Sequence, residues 1–162
     1  MKTNIFAIVI MLLSLGFAKE SSNLNQELVG HENKGDVAKA LHYSSYKALM
    51  DNFEKVGVKK GIDIIATLDK TKQAETFKMI RARMQNEITI IAKDVSQKRG
   101  GNVLIVGHGI SILALVSAFD DTVNLGKPLA NASVTKILYK NGQFKVLSVG
   151  DMSYVDQGAK EK

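Results

Sequence analysis

Gly101-Asn102-Val103-Leu104-Ile105-Val106-Gly107-His108-Gly109 is a short apolar run, rich in β-branched residues, that ends in a glycine-flanked histidine. A run of this length and composition suits a strand buried on both faces of a mostly parallel sheet. The glycines break the strand and Ile110 to Phe119 resumes as an apolar helix, so the stretch reads as a βα unit with His108 at its turn. In open α/β sheets ligands bind outside the carboxyl ends of the strands, which is where this turn falls. Gly107 and Gly109 let the backbone approach a ligand, and the free amides that open the next helix, beside Ser111, favour an anion. Two readings of His108 follow, a contact to bound phosphate and a hydrogen-bonded structural histidine. A dinucleotide fingerprint is set aside, because Ile112 stands where its third glycine belongs and no acid follows at the required distance.

Upstream, Ala74, Phe77, Ile80, Met84, Ile88, Ile91 and Val95 recur at spacings of three and four, which predicts a helix over Lys72 to Gln97, stopped by Gly100-Gly101. Asp36 is placed to cap an earlier helix that Gly57 ends, and a short helix follows over Val58 to Leu68. Downstream, 124–131 reads as loop around Pro128. Ala132 to Lys140 and Gln143 to Val149 then form β-rich runs on either side of Asn141-Gly142, the strongest short hairpin signal.

At 162 residues and 45% hydrophobic content the chain suits one core. Lys2, the apolar run from Ile5 to Phe17 and the small residues of Gly16-Phe17-Ala18 read as a secretory signal peptide over 1–18. The expectation is export across the inner membrane to a periplasmic or secreted location, with no stable membrane span after cleavage, because about 13 apolar residues fall short of the ~20 that a bilayer needs. Residues 19–35 read as a polar linker, 36–158 as the folded domain and 159–162 as a charged tail. The absence of cysteine removes disulfides and thiolate chemistry, and three histidines without ligand-like spacing give no metal site. The formal charge of +6 comes from lysines scattered among acids, with no aromatic-interleaved basic stripe, so no nucleic-acid partner is expected.

Gly101 to Gly109, Leu-Ala-Asn-Ala-Ser-Val-Thr (129–135), Tyr-Lys-Asn-Gly-Gln-Phe (139–144) and Val-Gly-Asp-Met-Ser-Tyr (149–154) together resemble the C-terminal part of the histidine phosphatase superfamily, phosphoglycerate-mutase-like proteins. Ala74-Glu75 followed by Arg83-Met84 resembles the helix that precedes that family's later strand. The resemblance implies an incomplete three-layer α/β fold with a mostly parallel sheet, helices on both faces and a C-terminal β-hairpin. It implies phosphomonoester chemistry, in which one histidine attacks phosphorus while a second histidine and two arginines hold the phosphoryl oxygens, and it implies no cofactor. His108 matches the second histidine, within a phosphate-binding set of Gly107, His108, Gly109 and Asn131; Gly107 stands where the family usually has serine. Glu27, in Glu27-Leu28-Val29-Gly30-His31-Glu32, is the match for the proton-donating acid.

The Arg-His-Gly motif that supplies the nucleophile after the family's first strand does not occur in this sequence. The expectation is therefore a truncated, catalytically impaired member whose ligand is a phosphorylated small molecule. A non-catalytic phosphate-binding or protein-interaction module and a gene fragment stand beside it. With the first strand missing, the strand before His108 should lack a neighbour, so a homodimer or a partner segment is expected to complete the sheet.

Overall fold

Asn141 and Gly142 both adopt left-handed φ, 52° and 81°, as the tight turn between two twisted strands requires. They join two strands of a four-stranded sheet in a computed structural model that describes residues 6–11 and 31–160, with side chains for 34–160. The described elements are β1 (Phe6–Met11), α1 (His31–Ala40), α2 (Tyr46–Met50), α3 (Phe53–Val56), α4 (Val58–Leu68), α5 (Phe77–Lys98), β2 (Gly101–Val106), α6 (Gly109–Val116), β3 (Val134–Lys140), β4 (Gln143–Asp151) and α7 (Ser153–Lys160). They fall into two compact units. One holds 80–123 and 129–160 together with β1; the other holds 31–79 and 124–128. No helix among the described residues is long and apolar enough to cross a membrane.

The sheet runs β2-β1-β3-β4. β1 pairs in parallel with β2, from Phe6 with Gly101 to Met11 with Val106, and antiparallel with β3, from Phe6 with Tyr139 to Met11 with Val134. β3 and β4 are antiparallel. The mostly parallel sheet expected from the sequence is thus corrected to a mixed one, with one parallel and two antiparallel pairings. The expected missing neighbour of β2 is also corrected, since Phe6–Met11, inside the stretch read as a leader, occupies that place. The cleavage pattern at Gly16-Phe17-Ala18, residues 19–30 of the linker and Glu161 and Lys162 of the tail lie outside the described residues.

The core of the sheet unit joins Ile88 and Ala92 of α5, Ile112, Leu115 and Val116 of α6, and Ile137 and Tyr139 of β3. Val103 and Ile105 pack against it, and the rings of Phe119, Phe144 and Tyr139 stack at its margin, with centroids 4.3 Å and 4.7 Å apart. Because strand side chains alternate, Leu104 and Val106 face away, 59% and 54% exposed. The two-sided burial and helical cover expected for this strand are therefore corrected: β2 is buried on one face only.

In the second unit α1 starts five residues before the expected cap at Asp36, so 31–35 are helical rather than linker. Burial of Val37, Ala38 and Leu41 against Leu49 offsets the poor helix propensity of Gly35 and Asp36. The helix expected to continue to Gly57 is divided at His42. With φ 62°, His42 ends α1 as its amide donates to the Lys39 carbonyl and the Tyr43 amide to the Ala38 carbonyl, the paired bonds of a Schellman cap. Segment 124–128 joins this unit through the Val58 amide, which donates to the Leu125 carbonyl at 2.8 Å. A Cβ on Gly126 would lie 2.5 Å from the Glu54 carbonyl oxygen, so only glycine fits there.

The step from α4 to α5 is held by two carboxylates. Asp63 accepts from the Phe77 amide at 2.8 Å and caps α5 from a distance. Its carboxyl is held below the ordinary value by the Lys59 ammonium, with the Phe77 amide adding to this against the cost of burial. Asp69 accepts from the Thr71 hydroxyl and amide through Oδ1 and from the Gln73 and Ala74 amides through Oδ2. The Thr71 hydroxyl, followed by these amides, lowers its pKa from 3.8 to about 2. A depressed carboxylate contributes stability above its unfolded pKa and loses it as pH falls through the folded one. Asp69→Asn is expected to lower the melting temperature at pH 5 and to bring it close to that of the parent near pH 2, as thermal melts at the two pH values would show.

Candidate functional site

β2 ends at Val106, and His108 takes the cap position of α6 with φ −89° and ψ 148°. The His108 carbonyl accepts from the Ile112 amide at 3.0 Å, which commits the backbone to the helix and leaves the imidazole out of the cap. That side chain is exposed and has no hydrogen-bond partner among the described residues. The first-turn amides of Gly109, Ile110 and Ser111 lack intrahelical acceptors and carry the positive end of the helix dipole. The run Ile112–Val116 is entirely buried, so the end of the helix that bears the histidine is fixed by the core.

Gly107 is not required by packing. A Cβ there would meet Ile112 Cγ1 at 3.7 Å, an ordinary contact, and its φ lies outside the left-handed region. Gly107→Ser is accordingly expected to fold with a melting temperature within about 2 °C of the parent, corresponding to the ±0.5 kcal/mol typical of neutral sites. A larger drop in a thermal melt would show that the turn needs glycine.

Register brings other segments to the same end of the sheet. Val106 pairs with Met11, Met11 with Val134, and Val134 with Asp151. The end of β1 at Met11, the start of β3 and the end of β4 therefore lie at the same end of the sheet as the His108 turn. Asn131 lies in that loop with an exposed side chain, and no hydrogen bond joins it to His108. Glu27 lies outside the described residues. His31 opens α1 with its side chain undescribed, and His42 is occupied as a helix terminator in the other unit.

Sequence reasoning missed Ser133. It is 2% exposed, its Oγ finds no partner among the described residues, and it follows Ala132, whose φ of 60° is left-handed. Its only signal was the Asn-Ala-Ser entry to a β-rich run. The Gly-Asp-Met-Ser-Tyr stretch, by contrast, serves structure. Gly150, φ 67°, donates its amide to Thr135 Oγ1, and Asp151 accepts from the Ser153 amide at the start of α7. Lys136 Nζ lies 4.8 Å from the centroid of the Tyr154 ring, and the Tyr154 hydroxyl raises the lysine pKa, with Asp151 adding a smaller effect.

A mixed sheet with a histidine and the open amides of a helix beyond the carboxyl end of its parallel strands defines an α/β protein of the kind that places its functional turn at that end. The model of the histidine phosphatase superfamily (branch 1) matches residues 63–152, more than half of the chain, and the chain belongs to that family. Its fold is similar to the crystal structure of phosphoglycerate mutase from Bacillus anthracis str. Sterne, with a TM-score of 0.73 and 26% identity over 97% of this chain and 98% of that one. It is also similar to Bacillus stearothermophilus YhfR, with a TM-score of 0.51 and 18% identity over 93% of this chain and 99% of that one, a likeness of fold alone. None of the curated proteins compared with the chain matches it.

Proposed function

We propose that this chain binds phosphomonoesters at the His108 turn and is impaired as a phosphatase. The observation that carries the reading is at the end of β1. In the family pattern Arg-His-Gly follows the first strand, and here β1 ends beside Val106 and is followed in sequence by Leu12-Leu13-Ser14. None of the three offers an imidazole to attack phosphorus or a guanidinium to neutralise its oxygens, and the Ser14 hydroxyl is a weak nucleophile without a base to activate it. His108 is then the remaining member of the phosphate-holding group, aided by the amides of α6. Gly107 supplies no hydroxyl, and Asn131 borders the same end of the sheet.

Saturable binding of inorganic phosphate or vanadate by the full chain is the expected result, with no turnover of an aryl phosphate. His108→Ala should weaken that binding by about tenfold or more, since a hydrogen bond to a charged group is worth roughly 1.5–3 kcal/mol. Binding that survives the substitution would remove His108 from the site. Turnover abolished by it would make the chain an enzyme with another nucleophile, and Glu27→Gln would then test the matching acid.

Export is a separate proposal, supported by Lys2, the apolar run and Gly16-Phe17-Ala18, and cleavage after Ala18 would take β1 out of the sheet. An intact mass that begins at Lys19 in protein recovered from cells supports it. The mass of the full chain would take export out of the reading and leave Phe6–Met11 as a permanent strand.

A further inference from the structure

We infer that two copies of this chain pair through the outer edge of β2 to make one continuous sheet. The two edges of the sheet are built differently. β4 carries Lys145, a register irregularity opposite Lys136 and Ile137, a left-handed Gly150 and the charge of Asp151, all devices that discourage pairing with another strand. β2 lacks the charges and the bulge: Gly101–Val106 contains no charged residue, no proline and no register irregularity, its one positive φ lies at its first residue, Gly101, and among the described residues only β1 pairs with it. Leu104 and Val106 stand more than half exposed on its open face, next to Ile110 at 42%.

The chemistry of this edge selects a second copy over a charged partner. The chain carries a formal charge of +6, so most approaches between copies meet like charge, whereas β2 is an uncharged strip of six residues. Antiparallel pairing about a twofold axis through Ile105 sets Leu104 of each copy opposite Val106 of the other. Ile105 then faces its own equivalent on the core side, and every paired side chain between the two Leu104 positions is apolar. The same register carries Asn102 of the second copy alongside His108. Among the described residues this edge is open with β1 in place, because β1 lies on the other side of β2 and ties it to the rest of the sheet.

Sedimentation of the full chain across a range of concentration tests this. A monomer–dimer equilibrium is expected, and Leu104→Lys with Val106→Lys should raise its dissociation constant about 100-fold or more by placing like charges across the axis. Both positions are exposed, so the far-ultraviolet spectrum should be unchanged. The chain has no cysteine, so Ile105→Cys adds a lone thiol at the axis and should oxidise to a disulfide-linked dimer, whereas Asn102→Cys, off the axis, should not. A full chain that stays monomeric throughout, a dimer indifferent to the lysines, or a dimer that Ile105→Cys fails to link would each overturn the inference.

Discussion

Leu115→Ala is expected to destabilise the full chain by about 3 kcal/mol, within the range found when a buried leucine is cut back and the cavity only partly closes. Leu115 is fully buried in one cluster with Ile88 and Ala92 of α5 and Ile137 and Tyr139 of β3, so cutting it back loosens a core that joins helix and strand. Urea unfolding followed by circular dichroism measures the change, read as a shift in midpoint at constant slope. The consequence reaches the site. α6 exposes only its first turn, and the packing of Ile112–Val116 is what aims those amides beyond the end of β2. Phosphate affinity should hold while the variant is folded and vanish with the melt. A loss below 1 kcal/mol would mean that the core around α6 is loosely packed.

Ile8→Pro should cost about 3 kcal/mol or more in the full chain, because proline removes a ladder donor and its ring does not fit in the middle of a sheet. Ile8 pairs with Val103 on one side and Ile137 on the other, so no edge is available to accommodate the ring. Hydrogen exchange would report the loss at the amides of β2 and β3. An unchanged exchange pattern would show that the sheet holds without the pairing of Phe6–Met11.

Local chemistry was legible wherever a single residue type answers a single geometric demand. Asn141-Gly142 announced the hairpin because few other residues accept two consecutive left-handed turns, and Gly100, at φ 74°, ended α5 as expected. The His108 turn was equally plain, since glycines between a β-branched run and an apolar helix permit little else. What stayed hidden depends on partners distant in sequence. Gly101–Val106 is uniformly apolar after Asn102, and nothing local distinguishes a strand buried on both faces from an edge strand that buries only Val103 and Ile105. Phe6–Met11 satisfies the rules for a leader and for a central strand at once, because both require an uninterrupted apolar run. The division of the first helix at His42 was missed because histidine, unlike glycine, rarely signals a left-handed stop, and Ser133 because an unpartnered hydroxyl is a property of its surroundings alone.

The room beside Gly107 bears on descent. Some glycine codons become serine codons by a change of one base, and a Cβ at this position meets only ordinary contact with Ile112. The turn that holds His108 thus has space for the serine side chain that the family pattern places there. If Gly107→Ser melts as expected, a change between the two residues at this one position would pass through no unstable form.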